Sequence, residues 1–126
     1  QRQMCIRDSI EASHHVLNQH PIMCAKVSDR VRKHNHQFGI DNLDLGQPLQ
    51  LLQTAQFDYV KINAKTLHEM SRNDMPAGYQ ALRTITDTLD VSIIAVAVDS
   101  KEVIDELKSL GIDIIQGNFL GSPEAI

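Results

Sequence analysis

The chain predicts an α/β fold in which parallel strands alternate with helices. Three observations carry that expectation. VSIIAVAV, 91–98, is a run of β-branched or small residues with almost no polar face, the pattern of a strand covered on both sides. SKEVIDELKSLG, 100–111, follows at once as an amphipathic helix, and IDIIQG, 112–117, is another apolar strand. Strand, helix, strand with short connections is the βα unit of a parallel sheet.

The remaining elements extend the alternation. Ile10–Ser13 is the remnant of a strand. Pro21 opens a helix at its first turn, and Met23, Val27 and Val31 share one face of the run to His34. FGID, 38–41, is a short strand ending in Asp41, and NLDLG is a turn punctuated by Gly46. PLQLLQTAQ, 48–56, is a short helix with Leu49, Leu51 and Leu52 inward. FDYVKIN, 57–63, is the next strand, AKTLHEMS a short helix or loop, and Asn73 to Gly78 a turn region. Tyr79, Leu82, Ile85 and Leu89 recur at helical spacing up to Asp90. In the following helix Ser100 is the N-cap, Gly111 the C-cap, and Glu102 and Asp105 suit the positive end of the dipole. NFLGSPEAI, after the last strand, is loop.

The first nine residues, QRQMCIRDS, have neither the apolar core nor the small-residue cleavage site of a signal peptide. They resemble translated adapter read-through, so Gln1 to Ser9 are set aside as non-native. On that expectation residues 10–126 are part of a domain that continues upstream.

A net charge of -4 and a pI near 5.8 exclude a general nucleic-acid binder, which would carry a basic stripe. No apolar run approaches the length that spans a bilayer. Cys5 and Cys24 have neither metal nor redox spacing and point to a reducing compartment; Cys24 belongs in or beside the core. His14 and His15 are adjacent and point apart in any regular structure. His34 and His36 fall at a helix-to-strand turn, so no histidine metal site is expected. Asp44 and Gly46 suit turn chemistry.

In parallel α/β folds the chemistry gathers at the C-terminal ends of the strands. The polar residues breaking the strands there are Glu11, Asp41 with Asn42, Lys61 with Asn63, Asp99, and Gln116 before Gly117. Lys61 sits inside an otherwise apolar run. Either it stays charged beside Glu11 and Asp41, or it snorkels to solvent from the strand end. Asp99 is either part of that group or an ordinary decoration of the helix start. A phospho-receiver domain fits the length, but it needs an early acidic pair, and here Asp41 and Lys61 fall on consecutive middle strands.

FGIDN, KIN and QGNFLGSP, in this order, resemble the second half of the EAL domain, the cyclic-di-GMP phosphodiesterase family. The likeness covers residues 10–126, and Gln116, Gly117, Gly121 and Pro123 are its most specific piece. It implies the C-terminal portion of a (β/α)8 TIM-type barrel, since a whole barrel takes about 250 residues.

The resemblance also implies roles. Glu11 and Asp41 fall on metal-ligating positions, Lys61 on the lysine that meets the attacking water and the phosphate, and Gln116 on a glutamine beside the ligand. Asn42 stands where the family has the second aspartate of a pair, and Asn63 where it has another aspartate. Val96 replaces the proposed general-base glutamate, Ala97 the glycine after it, and Asp99 falls on the last glutamate of that motif. His14 replaces a glutamate that braces the loop after the aspartate pair. The expected site is therefore a degenerate one. Asp41, Asn42, Lys61, Asn63, Gln116 and Gly117 line a ligand position, Lys61 is vestigial as a catalyst, and Glu11 and Asp41 are vestigial metal ligands.

The implied function is a catalytically inactive cyclic-di-GMP receptor or regulatory domain in bacterial signal transduction. The alternatives are a protein-interaction module without nucleotide and a weakly active phosphodiesterase using Mg²⁺ or Mn²⁺. The implied partners are cyclic-di-GMP, other domains of a larger signalling protein and a second copy of the chain; nucleic acid is not expected. The implied location is the cytoplasm, free or as part of a membrane-anchored protein.

Overall fold

The computed structural model describes residues 9–44, 49–72, 76–112, 114–117 and 124–126. Cys5, Gly46, Pro48, Gly121 and Pro123, all used in reading the sequence, lie outside the described residues, as do 1–8 of the segment set aside.

Five parallel strands are β1 (Ser9–Ala12), β2 (Gln37–Ile40), β3 (Tyr59–Asn63), β4 (Ser92–Val98) and β5 (Ile114–Gly117). Between them run α1 (His14–Gln19), α2 (Pro21–Lys33), α3 (Ala64–Arg72), α4 (Pro76–Leu89) and α5 (Lys101–Ser109). The strands lie side by side in chain order. That order belongs to a barrel wall; an open doubly wound sheet reverses its order part-way. The receiver-type fold is thereby excluded, and the described strands form part of a barrel.

The two faces of the sheet differ as the period-2 alternation of strands requires. Phe38, Ile40, Val60, Ile62, Ile93, Ala95 and Ile115 point one way and pack with Leu17, Leu67, Leu82 and Leu107 of the helices. Each fully buried aliphatic side chain in this layer contributes roughly 1.5–3 kcal/mol. Tyr59 and Ile94 are equally buried but stand outside that core, on the opposite face. This second face, the inner wall of the barrel, also carries Glu11, Gly39, Lys61 and Gln116.

Several expectations shift. β1 begins at Ser9, one residue before the strand expected from Ile10, with Ser9 paired to Gln37. α1 was not anticipated; Ser13 caps it by accepting the Val16 N–H. The segment expected as a helix over 48–56 is a 3-10 helix, Leu49–Gln53, too short to show helical periodicity. α4 begins at Pro76, inside the region expected as a turn, because proline suits a helical first turn. The C-terminal tail expected as loop contributes Glu124–Ala125, β6, antiparallel to β5. At α5, Ser100 is the N-cap as expected, while the C-cap is Leu110 and Gly111 follows it with φ +85°.

Candidate functional site

β1 and β3 end at the same rim and deliver two side chains of opposite charge. Lys61 Nζ lies 2.7 Å from Glu11 Oε2. Lys61 is only 7% exposed, so of the two possibilities left open by its sequence the ion pair is the one formed. The Tyr59 hydroxyl donates to the same Glu11 oxygen at 2.6 Å. Its ring also lies under the ammonium, 5.8 Å from Nζ to the centroid. Asp41 lies just past β2, beside the end of β1 that carries Glu11.

The electrostatics follow from these contacts. Burial alone would raise the Glu11 carboxyl, but the hydrogen bonds from Lys61 and Tyr59 outweigh it and hold the group below its ordinary value. Burial, then the hydrogen bond to Glu11, pushes the Tyr59 phenol well above the usual range. At neutral pH Glu11 is thus a carboxylate and Tyr59 a neutral phenol.

The segment after β2 is pinned at three residues. Asp41 N–H donates to the Ala12 carbonyl at 2.9 Å, and Leu43 N–H to the Lys61 carbonyl at 2.9 Å. Asp44 N–H donates to His14 Nδ1 at 3.0 Å. His14 is fully buried on α1, so it braces the chain that carries Asp41 and Asn42. His15 beside it is exposed.

The other expected site residues are more scattered. Asn42 is exposed. Asn63 is exposed and turned to structure, its Oδ1 accepting the Lys65 N–H at 2.8 Å at the start of α3. Val96 is half-buried on β4, paired with Asn63. The pairing slips between Ala95 and Val98, so Val96 and Ala97 together face Gln116. Ala97 takes the left-handed backbone of this bulge, φ +60°. Gln116 shares the inner face with Lys61, and its buried Oε1 has no hydrogen-bond partner among the described residues. Gly117 is buried against Val98. Asp99 is exposed and lines, with Lys65, His68 and Ala97, a cavity of about 230 Å³ beside the rim.

Two residues of the cluster, Tyr59 and Gly39, went unnoticed in the sequence. Their signal was spacing: Tyr59 is two residues before Lys61 on a strand and must share its face.

The EAL domain profile matches residues 6–123. The chain belongs to the EAL domain family. Among curated proteins it is similar to the cyclic di-GMP phosphodiesterase PdeB of Shewanella oneidensis, 25% identical over 126 residues, 97% of this chain but 14% of that protein. Its fold matches the apo S helix-GGDEF-EAL portion of Vibrio cholerae LapD at TM-score 0.73 and 21% identity, covering 88% of this chain and 28% of that one. It matches the Xanthomonas citri FimX EAL domain, solved with c-diGMP, at TM-score 0.73 and 14% identity, covering 94% and 47%. This EAL chain thus spans a small part of the curated relative and under half of either structure. No helix among the described residues is long and apolar enough to cross a membrane.

Metal chemistry in this family sets a test that the residues can be held to. Among the described residues no three His, Cys, Asp or Glu side chains gather where an ion could be held. Glu11 and Asp41 are the carboxylates at the rim, and Glu11 already accepts Lys61 and Tyr59 through one oxygen. Asn42 and Asn63 bring no charge and Val96 no donor. These residues do not fit a two-metal centre, which needs several anionic oxygens around its ions.

Proposed function

We propose that this EAL domain is a catalytically inactive cyclic-di-GMP receptor or regulatory domain. The observation that supports this reading is the contrast between Lys61 and Val96. Lys61 is charged and held in place at the rim. Val96, at the position of the family's proposed general base, has no group that takes a proton. Loss of a general base alone removes about 10²–10⁴-fold in rate. An ammonium fixed on the inner wall, with the Gln116 amide on the same face, offers donors to a phosphate without requiring a cation. Such a domain serves as the nucleotide-sensing part of a larger cytoplasmic or membrane-anchored signalling protein, and pairing with a second copy belongs to the same proposal.

One observation favours a second reading, a weakly active phosphodiesterase using Mg²⁺ or Mn²⁺. Glu11 and Asp41 still stand at the ends of neighbouring strands, and the PdeB relative is named as a phosphodiesterase. Titration of the intact protein with cyclic-di-GMP, in chelator and then in Mg²⁺ or Mn²⁺, separates the two when the mixture is analysed for linear dinucleotide. The receptor reading expects binding in chelator and no linear product. Linear product supports the enzyme, and absence of binding in every condition leaves a protein-interaction module.

A further inference from the structure

Glu11, Gly39 and Tyr59 form one row across three strands. Glu11 pairs with Gly39, and Gly39 with Tyr59. A Cβ on Gly39 would stand 2.2 Å from a carbon of the Tyr59 ring, closer than packed atoms tolerate. The missing side chain opens a gap on the inner face of β2. Through it the ring of Tyr59, fully buried, reaches from β3 towards β1. Its hydroxyl meets Glu11 Oε2 at 2.6 Å and lies 3.2 Å from Ser9 Oγ.

We propose that Tyr59 is a positioning residue that, through the opening at Gly39, holds Glu11 on Lys61, so that the ammonium occupies the carboxylate oxygen a divalent cation would take. Lys61 is then a tethered cation built into the wall. A divalent ion entering here must displace an ammonium at 2.7 Å from a carboxylate also held by a phenol. It would leave Lys61, 7% exposed, without its counter-charge. Breaking one partner away from a buried pair is far costlier than forming the pair is favourable. The phenol adds direction: it fixes which carboxylate oxygen is used and keeps the carboxylate from turning outward. The proposal deepens the receptor reading and rests on it for the meaning of a metal-free rim, but its test needs no nucleotide.

The probe is Mn²⁺ alone, followed by the electron paramagnetic resonance signal of the free ion in titrations of the intact protein. The wild type is expected to show no Mn²⁺ binding that Glu11→Gln removes. Tyr59→Phe keeps the ring on Gly39 and removes only the hydroxyl; combined with Lys61→Met it is expected to create Mn²⁺ binding about tenfold or more tighter than any the wild type shows, as loss of charge-assisted competitors should. Adding Glu11→Gln is expected to erase that gain, and Tyr59→Phe alone to give a smaller gain in the same direction. A merely structural tyrosine would not create metal binding. Wild-type Mn²⁺ binding that depends on Glu11, or a Tyr59→Phe protein that stays folded with unchanged affinity, overturns the proposal. Cyclic-di-GMP binding in chelator is scored separately, so the latch can fail while the receptor reading stands, and the reverse.

Discussion

His14 on α1 accepts the backbone N–H of Asp44 at 3.0 Å, tying the helix after β1 to the segment after β2. The resemblance puts a glutamate of the family at this position, bracing the same loop. A buried imidazole supplies an acceptor where a carboxylate would carry charge, so the brace survives the substitution.

His14→Ala removes the acceptor and leaves a void in a fully buried position. The expected cost is about 2 kcal/mol or more, the sum of a lost buried hydrogen bond and a small cavity. Urea denaturation measures it, and hydrogen exchange at the Asp44 amide should quicken beyond the global change. An Asp44 amide as protected as before would show that the contact does not hold the loop.

The fold was legible wherever the strands were apolar and the helices amphipathic. VSIIAVAV and SKEVIDELKSLG announced their states by pattern alone. What escaped was short or set by tertiary contact. α1 has 6 residues, too few for a periodic signal, and β6 has 2 residues and exists only by pairing with β5. The site was legible in part for the same reason. Counting strand ends put Glu11, Asp41 and Lys61 together, because topology alone brings strand ends to one rim. Tyr59 was hidden because it looks like an ordinary strand former. Its role comes from an absent side chain, Gly39, on a different strand. Asn63 falls with the site by position, yet its side chain serves the start of α3 by accepting the Lys65 N–H.

Acid should weaken the fold through Glu11. Its folded-state carboxyl is depressed below 4.5, so between that value and the folded one the unfolded chain binds more protons than the native. Stability from this group is full above 4.5 and falls away as pH drops through the folded value. Glu11→Gln should therefore flatten part of the acid limb. Urea midpoints at about pH 6 and about pH 3 should lie closer together in the variant than in the wild type. An equal separation would mean that other carboxylates dominate that limb.

Ala97 holds a left-handed backbone, φ +60°, at an exposed position in the β4 bulge. A Cβ is strained there, and the family's pattern has glycine. Ala97→Gly should raise stability by about 0.5 kcal/mol, strain relief of about 1–2 kcal/mol offset by the greater freedom of glycine when unfolded. The same substitution at Ala95, buried in regular strand, should instead destabilise. Thermal unfolding of the two variants gives opposite signs if the bulge is as described.

Lys61→Ala should lower cyclic-di-GMP affinity in chelator by about tenfold or more, the size of one charge-assisted contact. The same change should destabilise the protein, because Glu11 loses the ammonium that compensates its burial. Adding Glu11→Gln should recover part of that stability but none of the affinity. The double-mutant cycle thus separates a ligand contact from a structural ion pair. Unchanged affinity in Lys61→Ala would remove Lys61 from the ligand position.

Val96→Glu places a proton acceptor where the resemblance puts the family's proposed general base, paired across from Asn63. Restoring it alone should leave linear dinucleotide at background. The reason lies at the ends of β1 and β2. Asn42 contributes no anionic oxygen, and Glu11 is engaged by Lys61 and Tyr59 through one oxygen. A base without a held metal and its activated water has nothing to deprotonate productively. Val96→Glu with Asn42→Asp adds both missing charges and should give more product than either change alone when Mn²⁺ is present. Strong turnover from Val96→Glu by itself would mean that a metal already sits at the rim, and that the base is the sole missing part.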